Sequence, residues 1–312
     1  MSAVTKPMAL DSTLQDVVDA LPSPAQGAAG KTAYASAVSG GYTLPEKQFN
    51  ADLEGLKWRC NPNLLDNGYF VGGGDQQGGG QFPINSKKQT SYSGANAYAI
   101  DGAYLNSGAN LTLASDGIII ETANNTSYAR GIRIPIENAE NLRNKTVTLS
   151  ALVANADANF YLNVFGGDTY RNLSVTLLSD AAFNSAGLYS TSGMLETAKA
   201  CFTVFIGARN PNQGVGAGKK AKIIAMKLEL GSEQTLAHLE NGVWVLNEIP
   251  DYETQLLRCQ RFYHVFTGTS AATTGYGYST NAKDLRPEMR VNPTAETFTV
   301  GGVTYYALNA NL

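Results

Sequence analysis

The chain has 312 residues, a formal net charge of −3 and only 16% charged residues, so it carries no basic excess for tracking a nucleic-acid backbone. With 43% hydrophobic residues and 32 glycines, the composition favours sheets and turns over long solvated helices. No run of about 18 apolar residues occurs, and the N-terminus lacks the apolar core of a secretory signal, so we expect neither nucleic-acid binding nor membrane insertion.

The first 59 residues predict short helical pieces. Asp11 is a suitable helix cap, and the apolar residues after it are spaced three and four apart. These residues are Leu14, Val17, Val18 and Leu21. Because isolated helices this short are marginal in water, the stripe needs a partner. We expect residues 1–59 to form a helical arm for particle attachment and oligomerisation through this stripe, with packing on its own chain as the alternative.

From Asn61 onward, apolar and polar residues alternate in short runs between turn residues. The run 146–153 predicts a strand with one apolar and one polar face, and Pro135 predicts that its own strand lies at a sheet edge. The most regular alternation is Ile224, Met226, Leu228 and Leu230. This succession of strands predicts a mostly β chain with a jelly-roll β-sandwich in residues 60–236.

After the sandwich, the sequence predicts a linker helix and a small tip in residues 237–312. The helix can begin at Pro250 and run for about three turns. One face would carry Tyr252, Leu256, Cys259 and Tyr263. The remaining strands are too few to close a sandwich. We expect this β-rich region to complete its core with the sandwich or with other copies of the chain, and we take Leu256 and Tyr263 as further candidate oligomerisation contacts.

No group of residues identifies an active site. The two histidines lie far apart, and no serine occupies a Gly-x-Ser-x-Gly elbow. The cysteines Cys60, Cys201 and Cys259 are widely spaced and odd in number, which favours packed free thiols over disulfides or a metal site. We therefore predict no enzyme, no catalytic residue, no metal ligand and no cofactor.

Several short segments resemble strands of carbohydrate-binding-module-like jelly rolls. Asn63 to Phe70 is similar to their opening strand, Asn144 to Val153 to their central strand, and Lys227 to Gly231 to their closing strand. With the segments Trp244 to Pro250 and Leu257 to Tyr263, the chain resembles fibre proteins of tailed bacteriophages. Gly30 to Phe49 is similar to a module of phage fibre stems.

This resemblance implies a structural head or tail fibre of a virion, homotrimeric and assembled in the bacterial host cytoplasm. Its partners would be copies of itself, other capsid or tail proteins, and a host-surface glycan during attachment. A structural calcium ion near Asp66 and Glu229 is an alternative within this type of jelly roll.

Two other functions stay open. One is a glycan-binding module without a structural role. Clustered tyrosines supply contact area at low entropic cost. The candidate contacts at the tip are Tyr276, Tyr278, Tyr305 and Tyr306. Where relatives often carry a tryptophan, this chain has Ile100 to Tyr104, which argues against a glycan site on the sandwich. The other function is a fibre-borne polysaccharide depolymerase, which would need two facing carboxylates.

Overall fold

The computed structural model describes residues 32–50, 60–74, 82–94, 96–123, 130–137, 139–168, 173–195, 201–208, 215–267 and 288–311. The chain divides into two compact units, residues 1–59 and residues 60–312. The sandwich and the predicted C-terminal region thus share one unit. The predicted stripe of Leu14, Val17, Val18 and Leu21 lies outside the described residues.

In the first unit, a helix and an aromatic cluster are described. Helix α1 (Ala33–Ser39) begins after Thr32, whose hydroxyl accepts a hydrogen bond from the Ala35 amide at 3.1 Å, and its C-cap is Gly40. Residues 46–50 are also helical. Ala37 and Phe49 are buried against Tyr34 and Tyr42, so this small unit has its own apolar contacts.

The second unit is built mainly from antiparallel strands. In chain order, the strands of its two large sheets are β1 (Ser91–Ser93), β2 (Ala97–Tyr98), β3 (Tyr104–Leu105), β4 (Ala109–Ala114), β5 (Gly117–Thr122), β6 (Arg130–Ile136), β7 (Thr146–Ala156), β8 (Phe160–Gly167), β9 (Leu173–Thr176), β10 (Ala181–Phe183), β11 (Gly187–Met194), β12 (Cys201–Ala208) and β13 (Lys220–Leu230). A 3₁₀ helix, Ala139–Leu142, precedes β7.

Among the described residues, the first sheet has the order β1-β4-β5-β13-β7-β11. The second has the order β10-β8-β12-β6-β3-β2, with β9 also paired to β8. From β6 to β8 and from β11 to β13, successive strands pass from one sheet to the other, as they do in jelly rolls. The prediction of a mostly β sandwich is confirmed.

The core lies between the two sheets. Its side chains include Ile134, Val164 and Val204 from the second sheet and Leu149 and Leu228 from the first. Each of these side chains is at most 3% exposed. Burial of apolar surface on this scale is the main free-energy gain on folding. The packed core therefore holds the two sheets in place, and with them the side chains on their outer faces.

The predicted polar residues of β7 do lie on the face opposite the core, but that face is buried as well. Thr148 and Ser150 are 1% and 0% exposed. The Thr148 hydroxyl donates to the Gly231 carbonyl at 2.8 Å. On the same outer face, Leu152 packs against Leu236. Polar residues therefore alternate along β7 because their side chains hydrogen-bond to buried groups of the same chain, and not because they face solvent.

The predicted regularity of the last sandwich strand is wrong. A register shift in β13 at Ile223–Ala225 breaks the alternation. As a result Ile223, Met226 and Leu228 face the main core, while Ile224 packs on the opposite side. Leu230 is 47% exposed.

The strand that contains Pro135 is not a sheet edge. β6 pairs with β12 on one side and with β3 on the other. However, β3 pairs only with Ile132 and Arg133, so no strand pairs with Pro135 on that side among the described residues. The missing amide hydrogen of proline is tolerated for this local reason.

The chain beyond β13 packs on the sandwich. It contains the hairpin β14 (Ala237–Glu240) and β15 (Val243–Leu246), helix α2 (Tyr252–Gln260), and a sheet of β16 (Tyr263–Thr267), β17 (Thr294–Val300) and β18 (Val303–Asn309) in the order β16-β18-β17. The predicted helix is shorter than expected, because Tyr263 begins β16. Within the described ranges, no helix is both long and apolar enough to span a bilayer.

The three cysteines are free thiols, as predicted. Cys201 and Cys259 are buried, and Cys60 is partly buried. Burial raises the pKa of the Cys259 thiol well above its ordinary value, so this thiol stays protonated at neutral pH and acts as a packed apolar group.

A buried carboxyl group makes the stability of this unit dependent on pH. Asp101 is 3% exposed, and its burial raises its pKa to about 7 from an ordinary value of 3.8. The folded chain therefore binds this proton more tightly than the unfolded chain. This contribution to stability is fully present below about pH 4 and is lost as the pH rises to about 7.

We expect Asp101→Asn to reduce this loss of stability between pH 4 and pH 7, measured as the midpoint of urea unfolding at each pH. Asp116→Asn is the charge-matched control, because Asp116 is exposed and pairs with Lys222 at 3.0 Å. The control should keep the decline of the wild type. Identical pH profiles for wild type and Asp101→Asn would contradict the prediction.

Candidate functional site

A row of five side chains crosses the outer face of the second sheet. The register pairs Asn163 with Phe205, Phe205 with Arg133, Arg133 with Tyr104, and Tyr104 with Tyr98. Side chains directly opposite each other in antiparallel strands project to the same face. The row therefore runs over β8, β12, β6, β3 and β2, on the side away from the core. We call it the cross-strand row.

A shorter parallel row lies two residues further along the same strands. It pairs Thr203 with Phe165 on one side and with Pro135 on the other. The rings of Phe165 and Phe205 connect the two rows, with centroids 5.9 Å apart and planes at 70°. The face thus combines aromatic rings with isolated polar groups, which is typical of ligand-binding surfaces.

The centre of this face is buried and its flanks are half-buried. Asn163, Thr203 and Phe205 are at most 1% exposed, while Arg133 and Tyr104 are of intermediate exposure. The Asn163 amide group donates to the Asp180 carboxylate. This arrangement forms a buried floor with a half-buried rim.

Three polar atoms on this face are buried without a hydrogen-bond partner. They are Asn163 Oδ1, Thr203 Oγ1 and Arg133 Nε. A buried polar atom left unpaired costs about 1–3 kcal/mol. Enclosed water molecules commonly supply the partners of buried atoms of this kind.

The row ends in a pair of tyrosines beside a cavity. The rings of Tyr98 and Tyr104 meet edge to face, with centroids 5.4 Å apart. Lys87 Nζ donates to the Tyr98 carbonyl at 2.8 Å. Tyr98, Lys87, Tyr263 and Glu296 line a cavity of about 430 Å³ between the sandwich and the C-terminal sheet. The face therefore continues into an open space at one end.

Two glycines keep the strands close beside the cross-strand row. Gly131 of β6 and Gly207 of β12 lie directly opposite each other. A Cβ atom on Gly207 would lie 2.4 Å from the Arg130 carbonyl oxygen, closer than any ordinary contact. Glycine is required here because another backbone approaches at this point.

The predicted tyrosine tip is only partly described. Tyr276 and Tyr278 lie outside the described residues. Tyr305 and Tyr306 are neighbours in β18, so their side chains project to opposite faces of the small sheet. Tyr305 stacks on Phe298 at 5.4 Å, and Tyr306 packs beside Phe266. A glycan-binding role for these four residues stays a prediction.

The candidate oligomerisation residues near helix α2 have contacts within the chain. Leu256 packs against the buried cluster of Phe82, Ile84 and Cys259. Tyr263 is 1% exposed, and its hydroxyl donates to Glu296. Both side chains are thus packed inside one chain, and contact with another subunit stays a prediction.

The carboxylates considered for calcium are already engaged. Asp66 forms an ion pair with Arg258 at 3.1 Å. Glu229 accepts hydrogen bonds from the Thr235 amide and hydroxyl, and lies 4.0 Å from Lys227 Nζ. Across the described residues, no three His, Cys, Asp or Glu side chains are grouped to hold a metal ion. The structure therefore gives the calcium alternative no support.

The sequence analysis did not find the cross-strand row. Its members are spread over residues 98 to 205, and Asn163, Phe205 and Arg133 each lie between two core residues of their own strand. Asn163 and Arg133 could have signalled it, because each interrupts an otherwise apolar run at the outward position of the alternation. That they share one row follows only from the register of five strands.

Three solved structures are similar to this chain at low identity. The C-terminal family 22 carbohydrate-binding module of Clostridium thermocellum Xyn10B has 10% identity, covers 45% of this chain and 96% of its own, and gives a TM-score of 0.33. The CBM22-1 xylan-binding domain of Paenibacillus barcinonensis Xyn10C has 12% identity. The match covers 56% of this chain and 99% of that domain, with a TM-score of 0.32. The N-terminal CBM22-1-GH10 modules of Clostridium thermocellum Xyn10B, complexed with xylohexaose, have 11% identity. The match covers 56% of this chain and 30% of that chain, with a TM-score of 0.32.

At these TM-scores, the likeness by itself establishes neither the fold nor the function of this chain. No protein-family model and no curated protein matches it.

Proposed function

We propose that residues 60–312 form a non-enzymatic carbohydrate-binding unit, and that the glycan lies across the cross-strand row. The observation that carries this proposal is the half-buried end of the row, where the rings of Tyr98 and Tyr104 meet edge to face and Tyr104 lies in register with Arg133. Sugars offer both kinds of contact, because their C–H surfaces pack on aromatic rings while their polar substituents hydrogen-bond to polar side chains.

The test is binding of the full chain to a panel of neutral and acidic polysaccharides that includes xylan, measured by affinity electrophoresis and isothermal titration. Tyr104→Ala should weaken binding by about tenfold, because loss of about 1.4 kcal/mol of ring contact corresponds to that factor. Tyr104 is half-buried at the rim, so the variant should remain folded, which circular dichroism checks.

Tyr305→Ala is the matched control, since Tyr305 lies on the C-terminal sheet outside the row. It should bind as the wild type does. Loss of binding in Tyr305→Ala with unchanged binding in Tyr104→Ala would move the site to the tip. Failure of the whole panel would overturn the proposal. Release of sugar fragments during the same assays would indicate a depolymerase instead.

A second proposal is that this unit belongs to a structural fibre of a phage virion, as the resemblance implies. Large apolar side chains are exposed around the hairpin and helix α2. Leu239, Val243, Ile249 and Leu257 are 56%, 63%, 71% and 53% exposed, and Trp244 is 38% exposed. Such a concentration is typical of contacts with another protein, and a second and third copy of the chain would cover it.

The mass of the intact chain in solution tests this second proposal. A homotrimer would support it, and Val243→Lys should then weaken assembly. A stable monomer at micromolar concentration would contradict it. Attachment to the head or tail of a particle, and assembly in the bacterial cytoplasm, belong to the same proposal and depend on the same result.

A further inference from the structure

The guanidinium of Arg133 occupies the middle of the cross-strand row without an anionic partner. Three other arginines of this unit form ion pairs. Arg258 lies 3.1 Å from Asp66, and Arg261 and Arg290 lie 2.9 and 3.7 Å from Glu137. Arg133 has no such pair among the described residues. Tyr104 is the titratable neighbour that acts on it electrostatically.

The cost of this arrangement is desolvation. Burial lowers the pKa of Arg133, which means that the surroundings disfavour its charge, although an arginine stays protonated at neutral pH. A half-buried cation that stays charged is stabilised when an anion approaches it. A neutral hydroxyl group offsets less of this cost than a carboxylate does.

The guanidinium of Arg133 can meet a carboxylate through its terminal groups. Its Nε is buried, but the side chain as a whole is only half-buried and its two Nη atoms are not among the buried unpaired atoms. The Nη–H groups can therefore donate to the oxygens of one carboxylate. Tyr104 is the cross-strand partner of Arg133 and is also half-buried, so a sugar ring packed on Tyr104 would lie beside the guanidinium.

The other charges near the row are at its ends. Asp180 lies beside Asn163 at one end, and Lys87 lies beside Tyr98 at the other. Glu296 lines the same cavity as Tyr98 and Lys87, so the tyrosine end carries a carboxylate as well as a cation. The middle of the row is therefore the position where a cation stands apart from any carboxylate among the described residues.

We propose that the ligand of this face is an acidic glycan of the uronic-acid class, with the sugar carboxylate bound by Arg133. This inference rests on the proposed carbohydrate-binding function and names its ligand. A sugar acid supplies one anion for Arg133 and ring surface for Tyr98 and Tyr104, which matches the chemistry of the half-buried part of the row.

The experiment compares polygalacturonate, alginate and hyaluronan oligosaccharides with their carboxyl-reduced counterparts, by isothermal titration with the full chain. We expect at least one acidic member to bind about tenfold or more tightly than its reduced form, since a charge-assisted hydrogen-bond pair contributes roughly this factor. Arg133→Gln should abolish the preference while it retains the weaker binding of the reduced form. Arg133→Lys should keep only part of the preference.

Lys220→Gln is the matched control. It removes the same charge from an exposed side chain of the first sheet, where Lys220 pairs with Glu121 at 3.5 Å, and it should keep the full preference. Equal binding of acidic and reduced forms by the wild type would overturn this inference and leave the proposed function intact. If no oligosaccharide of either kind bound, both would fail. A loss of preference in Lys220→Gln as large as that in Arg133→Gln would assign the effect to overall charge and overturn the role of Arg133.

Discussion

Gly207→Ala is expected to lower the free energy of unfolding by about 3 kcal/mol or more. The added Cβ would lie 2.4 Å from the Arg130 carbonyl oxygen and 2.5 Å from Gly131 Cα. Both are backbone atoms of the neighbouring strand, so no side-chain rotation relieves the overlap. The φ of Gly207 is +156°, which adds backbone strain for an alanine. Urea unfolding monitored by circular dichroism measures the effect.

Gly216→Ala is the control for Gly207→Ala. Gly216 has no heavy atom within 4 Å of the added Cβ position, and its φ is not in the strained range. This variant should stay within about 0.5 kcal/mol of the wild type. Should Gly207→Ala be as stable as Gly216→Ala, the close approach of β6 and β12 would be refuted. Glycan binding in Gly207→Ala should fall with stability, because the same two strands carry Phe205 and Arg133.

Asn67→Ala is expected to cost about 4 kcal/mol, the second large effect. Asn67 is 2% exposed and has a φ of +58°. Its Oδ1 accepts from the Ile84 amide at 2.6 Å, and its Nδ2 donates to the carbonyls of Ile84 and Asp101 at 2.8 and 2.9 Å. Alanine leaves the Ile84 amide and the Asp101 carbonyl unpaired, while the Ile84 carbonyl keeps the Asp101 amide as a donor at 3.3 Å. Alanine also adopts positive φ less readily than asparagine.

Two variants isolate these contributions in the same urea assay. Asn67→Gly keeps the permitted backbone and loses the hydrogen bonds, so it should remain strongly destabilised. Asn96→Ala removes a side-chain cap at a φ of +53°, where Oδ1 accepts from the Ser107 amide at 2.9 Å on an exposed turn. Because water replaces that bond, we expect a cost near 1 kcal/mol. Similar costs for Asn67→Ala and Asn96→Ala would show that burial of the Asn67 network contributes little.

The fold class could be predicted because strand alternation is a local property of the sequence. The runs around Phe160 to Val164 and Phe202 to Ile206 place every second residue, Phe160, Leu162, Val164, Phe202, Val204 and Ile206, in the core. The sequence analysis did not predict burial correctly where a side chain is covered by a segment that lies outside its own strand. Thr148 and Ser150 are polar but covered, and the bulge at Ile223–Ala225 changes which face the next residues occupy.

The candidate site was harder to predict than the fold. The tryptophan expected in relatives is absent near Asp101, which argued against a glycan site on the sandwich. The structure places Tyr104, three residues further, in register with Arg133. Under the proposed carbohydrate-binding function, Tyr104 would supply the aromatic contact. The linear sequence does not show this neighbourhood, because pairing of β3 with β6 connects segments that are far apart along the chain.

The sequence by itself determined that the chain is mostly β and that its cysteines are free thiols, and it located some of the sandwich strands, among them those around Phe160 to Val164 and Phe202 to Ile206. These properties follow from composition and from the two-residue period of a strand, which act over a few residues. Only the tertiary structure decided which outward-facing residues share a row. Strand register is set by packing of the whole core, and a shift of one residue would have turned Asn163, Arg133 and Tyr104 away from one another.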